Sequence, residues 1–93
     1  MANTVTINPS GINTYRVVLT AATTLHINAG YDGQTLNVIF QQDNTGTWVV
    51  TAGAEIKHFT TPTSTANFDT IQTFVYDALL GFWGWMSSSS LPS

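Results

Sequence analysis

Two histidines, His26 and His58, are the side chains best suited to general-base work or metal ligation near neutral pH. His26 falls on the polar face of an alternating segment and His58 follows Lys57, so both are expected to face solvent. A metal site draws three or four converging ligands, and the chain has no cysteine to supply a thiolate. A serine hydrolase needs a serine on a strained turn beside a base. The serines here are Ser10, Ser64 and those of the C-terminal stretch, none in a G-x-S-x-G setting. Glu55 and Asp69 could meet as a carboxylate pair of the kind that cleaves glycosides, but with five acids scattered through turns some pair is expected by chance. No glycine-rich phosphate loop occurs. The expectation is a non-enzymatic protein with no cofactor and no metal.

The charge census narrows the partners. Charged residues make up 8% of the chain, against about 25% in ordinary soluble domains. Arg16 and Lys57 are the only strong cations, and the formal charge is −3. Two cations cannot neutralise a run of phosphates, which argues against nucleic acid, and they cannot anchor a polybasic segment on an anionic membrane. Hydrophobic residues at 43% and aromatics at 12% are too many for a disordered chain. No apolar run reaches the ~18 residues that span a bilayer, and Met1-Ala2-Asn3-Thr4 lacks the features of a signal peptide. Thr, Ser, Asn and Gln stand where charge would be and make a neutral polar surface.

The elements that must position these residues are strands. Val5 and Ile7 alternate with Thr4, Thr6 and Asn8; Tyr15, Val17 and Leu19 with Thr14, Arg16 and Thr20. Leu25 and Ile27 alternate with Thr24, His26 and Asn28; Leu36, Val38 and Phe40 with Thr35, Asn37 and Gln41. Period-two patterning of this kind places one wall of each strand on a core. Residues 48–51, 56–60, 70–77 and 82–86 are further strands, and no segment sustains helical spacing. Turns fall at residues 8–11, 30–33, 61–67 and 77–81. Asp43-Asn44-Thr45-Gly46 reads as a short hairpin loop in which Asp43 bonds nearby backbone and Gly46 takes a positive φ. Seven to eight short antiparallel strands at this spacing predict an all-β fold, a single compact β-sandwich or jelly-roll-like barrel. Residues 1–86 form the domain, and the Ser-rich residues 87–93 read as a flexible tail.

Phe82-Trp83-Gly84-Trp85 is the sharpest local feature. On a strand, Trp83 and Trp85 share one face while Phe82, Gly84 and Met86 share the other. Three readings follow: a central strand buried on both sides, a strand with one face on a neighbouring subunit, or a platform that stacks sugars.

Two stretches carry a resemblance. Gly33-Gln34-Thr35-Leu36-Asn37-Val38-Ile39-Phe40-Gln41-Gln42-Asp43-Asn44-Thr45-Gly46 resembles a pattern of tailed-bacteriophage virion proteins: Gly, an alternating strand, Gln-Asp, a spacer and Thr-Gly. Asn67-Phe68-Asp69 through Tyr76-Asp77 to Phe82-Trp83 is similar to the strand, acidic turn and aromatic strand that close such domains. The resemblance implies a structural virion protein, made in the host cytoplasm. Because the sequence starts at Met1 and shows no repeat or coiled-coil stalk, the expectation is a free-standing capsid decoration (cement) protein. The alternatives are a tail or tail-fibre component with a host-binding role, and a small carbohydrate-binding module. The expected partners are sister copies in a homo-oligomer, a trimer first, and the major capsid protein. Trp48, Trp83, Trp85 and Leu91 are the candidate subunit or lattice contacts, with Leu91-Pro92 an arm; Asp43 and Gly46 form the structural turn.

Overall fold

The computed structural model describes residues 3–92. It contains eight strands and, among the described residues, no helix: β1 (Asn3–Ile7), β2 (Thr14–Leu19), β3 (Thr23–Ile27), β4 (Thr35–Gln42), β5 (Val50–Ala52), β6 (Ile56–Lys57), β7 (Phe68–Asp77) and β8 (Phe82–Pro92). They form two sheets, ordered β1-β3-β5 and β2-β4-β7-β8-β6. The first five strands alternate between the sheets, so each strand stacks on the one two places earlier. Asn3 lies beside Thr23 and Thr23 beside Val50. The chain therefore winds as a flattened coil.

The expectation of antiparallel strands is corrected on this point. β1-β3, β3-β5, β2-β4 and β6-β8 are parallel, and only β4-β7 and β7-β8 are antiparallel. The Asp43–Gly46 turn does not close a hairpin, because β5 crosses to the other sheet and pairs with β3. Alternation registers which face of a strand is buried, and it is the same for parallel and antiparallel neighbours. It therefore could not separate a sandwich of hairpins from a coil of parallel strands closed by one hairpin.

The inward residues of both sheets form one core: Ile7, Leu25, Ile27 and Val50 from the smaller sheet, facing Val17, Leu19, Leu36, Val38, Phe40, Phe74, Tyr76 and Trp83. Each such side chain is worth roughly 1.5–3 kcal/mol over its exposed state. Toward the far end of β7 the inner face turns polar, with Thr70, Gln72 and Gln42 enclosed. These groups hold the segment between β6 and β7. Gln42 Nε2 donates to the Trp48 and Thr63 carbonyls at 2.8 and 3.0 Å, Gln72 Nε2 donates to the Thr60 carbonyl at 2.8 Å, and Thr70 Oγ1 accepts from the Thr63 N–H at 3.2 Å.

The expected flexible tail is also corrected. Residues 87–92 are the second half of β8 and pair with β7 from Thr73 back to Phe68. Phe74 lies opposite Trp85 and Thr73 opposite Ser87, so Met86 is an extra, bulged residue. A bulge reverses the parity of a strand. Trp83 and Trp85 thus share the core face, and beyond Met86 that face passes to Ser88 and Ser90. Ser90 Oγ lies 3.1 Å from Thr70 Oγ1. Four consecutive serines suggested mobility because they carry no apolar face, but the polar inner face of β7 needs none.

Candidate functional site

The two ends of the coil differ. At one end lie the open edges of β1 and β2. The Asn3 N–H donates to the Ala22 carbonyl (2.8 Å) and the Ile7 carbonyl accepts from the Asn28 N–H (2.9 Å), so the odd-numbered residues of β1 bond to β3. In the same way the Asn13 carbonyl accepts from the Asn37 N–H (2.8 Å), which turns the odd-numbered residues of β2 toward β4. Thr4 and Thr6, and Thr14, Arg16 and Val18, accordingly direct their backbone N–H and C=O groups outward. Neither strand contains proline or lysine, and Val18 is 55% exposed. Edges are ordinarily blunted by lysine, proline or brevity. The opposite edges are blunted: β5 has three residues, and β6 has two, one of them Lys57 over the Phe82 ring.

The outer face of the larger sheet is neutral and hydroxyl-rich. Arg16 Nη1 donates to Gln41 Oε1 at 2.7 Å and reaches Asp69 Oδ2 at 3.4 Å, and Thr73 Oγ1 donates to Asn37 Oδ1 at 2.8 Å. The exposed Arg16–Asp69 pair contributes at most about 1 kcal/mol.

The candidate contact residues separate. Trp83 is 0% exposed, its ring tilted on Tyr76 and its indole N–H donating to the Asn28 carbonyl at 3.0 Å. It cannot touch another molecule, and its expected contact role is corrected: it stands opposite Tyr76 on the inner face of β8, within the core. Trp48 and Trp85 are half-buried and pack on the core, while Leu91 is 52% exposed on the outer face. The Trp48 indole N–H also closes the Asp43 turn. Asp43 Oδ1 accepts from that group (2.9 Å) and from the Thr45 and Gly46 N–H groups (3.0 Å each). The Gly46 bond first, with those of Trp48 and Thr45, holds the Asp43 carboxyl below its ordinary value, against a smaller opposing effect of desolvation. Gly46 has φ +70°.

His26 is not free in solvent as its position suggested. Its Nδ1 lies 3.0 Å from Glu55 Oε2, which also accepts from the Ile27 N–H at 2.9 Å. Burial alone would raise the Glu55 carboxyl, but its own backbone N–H, the Ile27 N–H and His26 outweigh that and lower it. Asp69 has Arg16 of its own five-stranded sheet for a partner and Glu55 has His26, so Glu55 and Asp69 do not form a pair. No group of three or more potential metal ligands occurs among the described residues. None of their helices could cross a membrane, since there are none.

A concave feature that reading the sequence missed lies where the β1–β2 and β3–β4 turns meet. Pro9, Ser10 and Gly11 face Ala29, Gly30 and Tyr31 across an open cleft of about 320 Å³ floored by Gln34. A second hollow of about 290 Å³ shares Gly11, Tyr31 and Gln34 and extends to Ile12 and Asn13. Gln34 is buried. Its Nε2 donates to the Pro9 carbonyl at 2.9 Å and its Oε1 accepts from the Tyr31 N–H at 3.2 Å, tying the two turns together. Gly30 is required beside it, because a Cβ there would meet Gln34 Oε1 at 2.2 Å. The available signal was parity: Gln34, Gln42 and Gln72 all sit in phase with the apolar side of their strands.

These features define a class, an all-β protein of coiled strands with one open end. Comparisons with protein-family models, curated proteins and solved structures found no match for this chain.

Proposed function

We propose that the chain is a non-enzymatic structural protein of a tailed-bacteriophage particle that assembles as a homo-oligomer through the open β1/β2 end. The observation that carries this reading is the pair of unguarded edges, five and six residues long, at one end only. A strand edge of that length recruits another strand by main-chain hydrogen bonds. Each copy offers two different edges, so β1 of one copy can pair with β2 of the next and close a ring. A trimer is the proposed state. Because the β5/β6 end is blunted, stacking does not continue into a filament, and this favours a closed capsid decoration protein over a fibre stalk. Attachment to the capsid lattice then rests on neutral contacts from exposed groups such as Leu91 and Met86, repeated in each copy. A tail location remains the second reading, and copy number in purified particles separates the two: hundreds for a decoration protein and a handful for a tail part.

The test is light scattering on the parent and on Thr6→Pro and Val18→Pro. Both residues direct their N–H outward, so proline removes a docking donor without breaking a bond inside the sheet. The parent should exceed its 10.1 kDa chain mass, and the variants should fall to monomer while keeping the parent's circular dichroism. Val18→Lys serves where proline disturbs the fold. A parent that stays monomeric at micromolar concentration sinks the proposal.

A further inference from the structure

We propose that the cleft around Tyr31 binds a neutral carbohydrate, whether or not the chain assembles into a particle. Tyr31 is 70% exposed, yet the turn that carries it is tied down by several hydrogen bonds. The Gly33 N–H donates to the Tyr76 carbonyl at 2.8 Å, and the Tyr76 N–H donates to the Gln34 carbonyl at 2.9 Å. Asp32 Oδ1 accepts from the Ala78 N–H at 3.0 Å, and the Gln34 side chain adds its bonds to Tyr31 and Pro9. A large aromatic ring held in water on a rigid turn does no packing for the fold. It is what a ligand that stacks on one face requires, because little order is lost on binding.

The surroundings of the ring select the ligand. The two hollows share Gly11, Tyr31 and Gln34 in their linings. No carboxylate, ammonium, guanidinium or imidazole lines either one, so neither an anion nor a cation finds a counter-charge. The polar groups present are the Ser10 hydroxyl and the Asn13 amide, both on exposed residues at the rim, and the buried Gln34 amide beneath. Hydroxyls and amides both donate and accept, as sugar hydroxyls do. The lining is mainly apolar in the first hollow and mainly polar in the second, a mixture that suits a sugar's faces and hydroxyls, and both volumes are near the lower end of the range for small-molecule sites. A proline-rich peptide is less suited, since such segments dock in grooves lined by several aromatic rings and this cleft has one. Gly11, at φ +76° with nothing within 4 Å of a Cβ position, keeps the space between the two hollows open.

The experiment titrates the whole chain with short neutral gluco-, manno- and galacto-oligosaccharides, and with sialylated and sulfated glycans of similar length, following backbone amides by NMR. At least one neutral series should give saturable shifts at Gly11, Gly30 and Gly33. Tyr31→Ala should weaken that binding by about fivefold to tenfold, the scale of one aromatic contact, with melting temperature unchanged. Tyr31→Phe should retain it, and Ala29→Trp, which fills the cleft from an exposed position, should abolish it. The proposal is overturned if no neutral sugar gives saturable shifts, if the charged glycans bind more tightly, or if binding survives both Tyr31→Ala and Ala29→Trp.

Discussion

Replacing Gly46 by alanine tests a close approach of backbone to backbone. Gly46 has φ +70°, and a Cβ there would lie 2.6 Å from both the N and Cα atoms of Ala66. Two costs combine. A left-handed conformation costs an L-residue roughly 1–2 kcal/mol, offset by about 0.4–1 kcal/mol from the stiffer unfolded chain. Overlap with backbone, which cannot swing aside as a side chain can, adds about 1–3 kcal/mol. The net loss is about 1–4.6 kcal/mol, or about 4–37 °C in melting temperature for a domain of this size. Gly81 is the internal control: its φ is +79° and nothing lies within 4 Å of its Cβ position. Gly81→Ala bears the conformational cost alone and should shift melting by less than about 13 °C, and by less than Gly46→Ala does. Thermal unfolding followed by circular dichroism reads both. Should the two variants melt within about 3 °C of each other, the approach of the Asp43–Gly46 turn to Ala66 is wrong, and with it the docking of the segment between β6 and β7.

Two further outcomes follow from the same structure. Deleting residues 87–93 should lower the melting temperature, because β7 loses its partner over Phe68–Thr73 at about 0.5–1.5 kcal/mol per ladder hydrogen bond; an unchanged value would mean that this half of β8 does not dock. Stability should also decline in acid. The Asp43 and Glu55 carboxyls are lowered from ordinary values of 3.8 and 4.5, so their contributions are complete above those values and are lost as pH falls through the depressed ones. Asp43→Asn keeps an acceptor oxygen at the turn and removes one titration, so its acid unfolding profile should be shallower than the parent's; an unaltered profile would remove Asp43 from the account.

The strands were legible in the sequence because burial on one face has a period of two, and β2, β3 and β4 lie where alternation puts them. The turn at Asp43–Gly46 was legible in its chemistry but not in its destination. An Asx turn with a positive-φ glycine reverses the chain equally well into a hairpin or across to another sheet. The C-terminal serines misled for a related reason. A strand is recognised by its apolar face, and β8 beyond Met86 faces Thr70 and Gln72 rather than hydrocarbon. Trp83 was legible as aromatic, with burial in the core as one of three readings, and only its register opposite Tyr76 decides among them. Tyr31 gave no signal at all: its importance lies in the rigidity of a turn whose anchors come from the end of β7, more than forty residues away.

The low charge and the coil bear on one another. A coil of parallel strands has two ends, and each exposes a row of unpaired backbone groups that must be paired, blunted or left sticky. This chain blunts one end with strands of three and two residues and Lys57. At the other end its only charge on the two edge strands is Arg16, whose guanidinium is turned inward along the sheet to Gln41 and Asp69. The one residue that could guard the open edge is thus engaged on the face instead. A protein under pressure to stay monomeric would gain from freeing that charge or adding another. One built to pair there gains from keeping the edge neutral, since a buried, unmatched guanidinium at a subunit contact would oppose docking. The Arg16–Asp69 pair costs the fold little and keeps the edge clear. Asp69→Asn, which leaves the Arg16 charge unmatched with only Gln41 to hold it, should therefore weaken assembly, read by light scattering, more than it lowers the melting temperature.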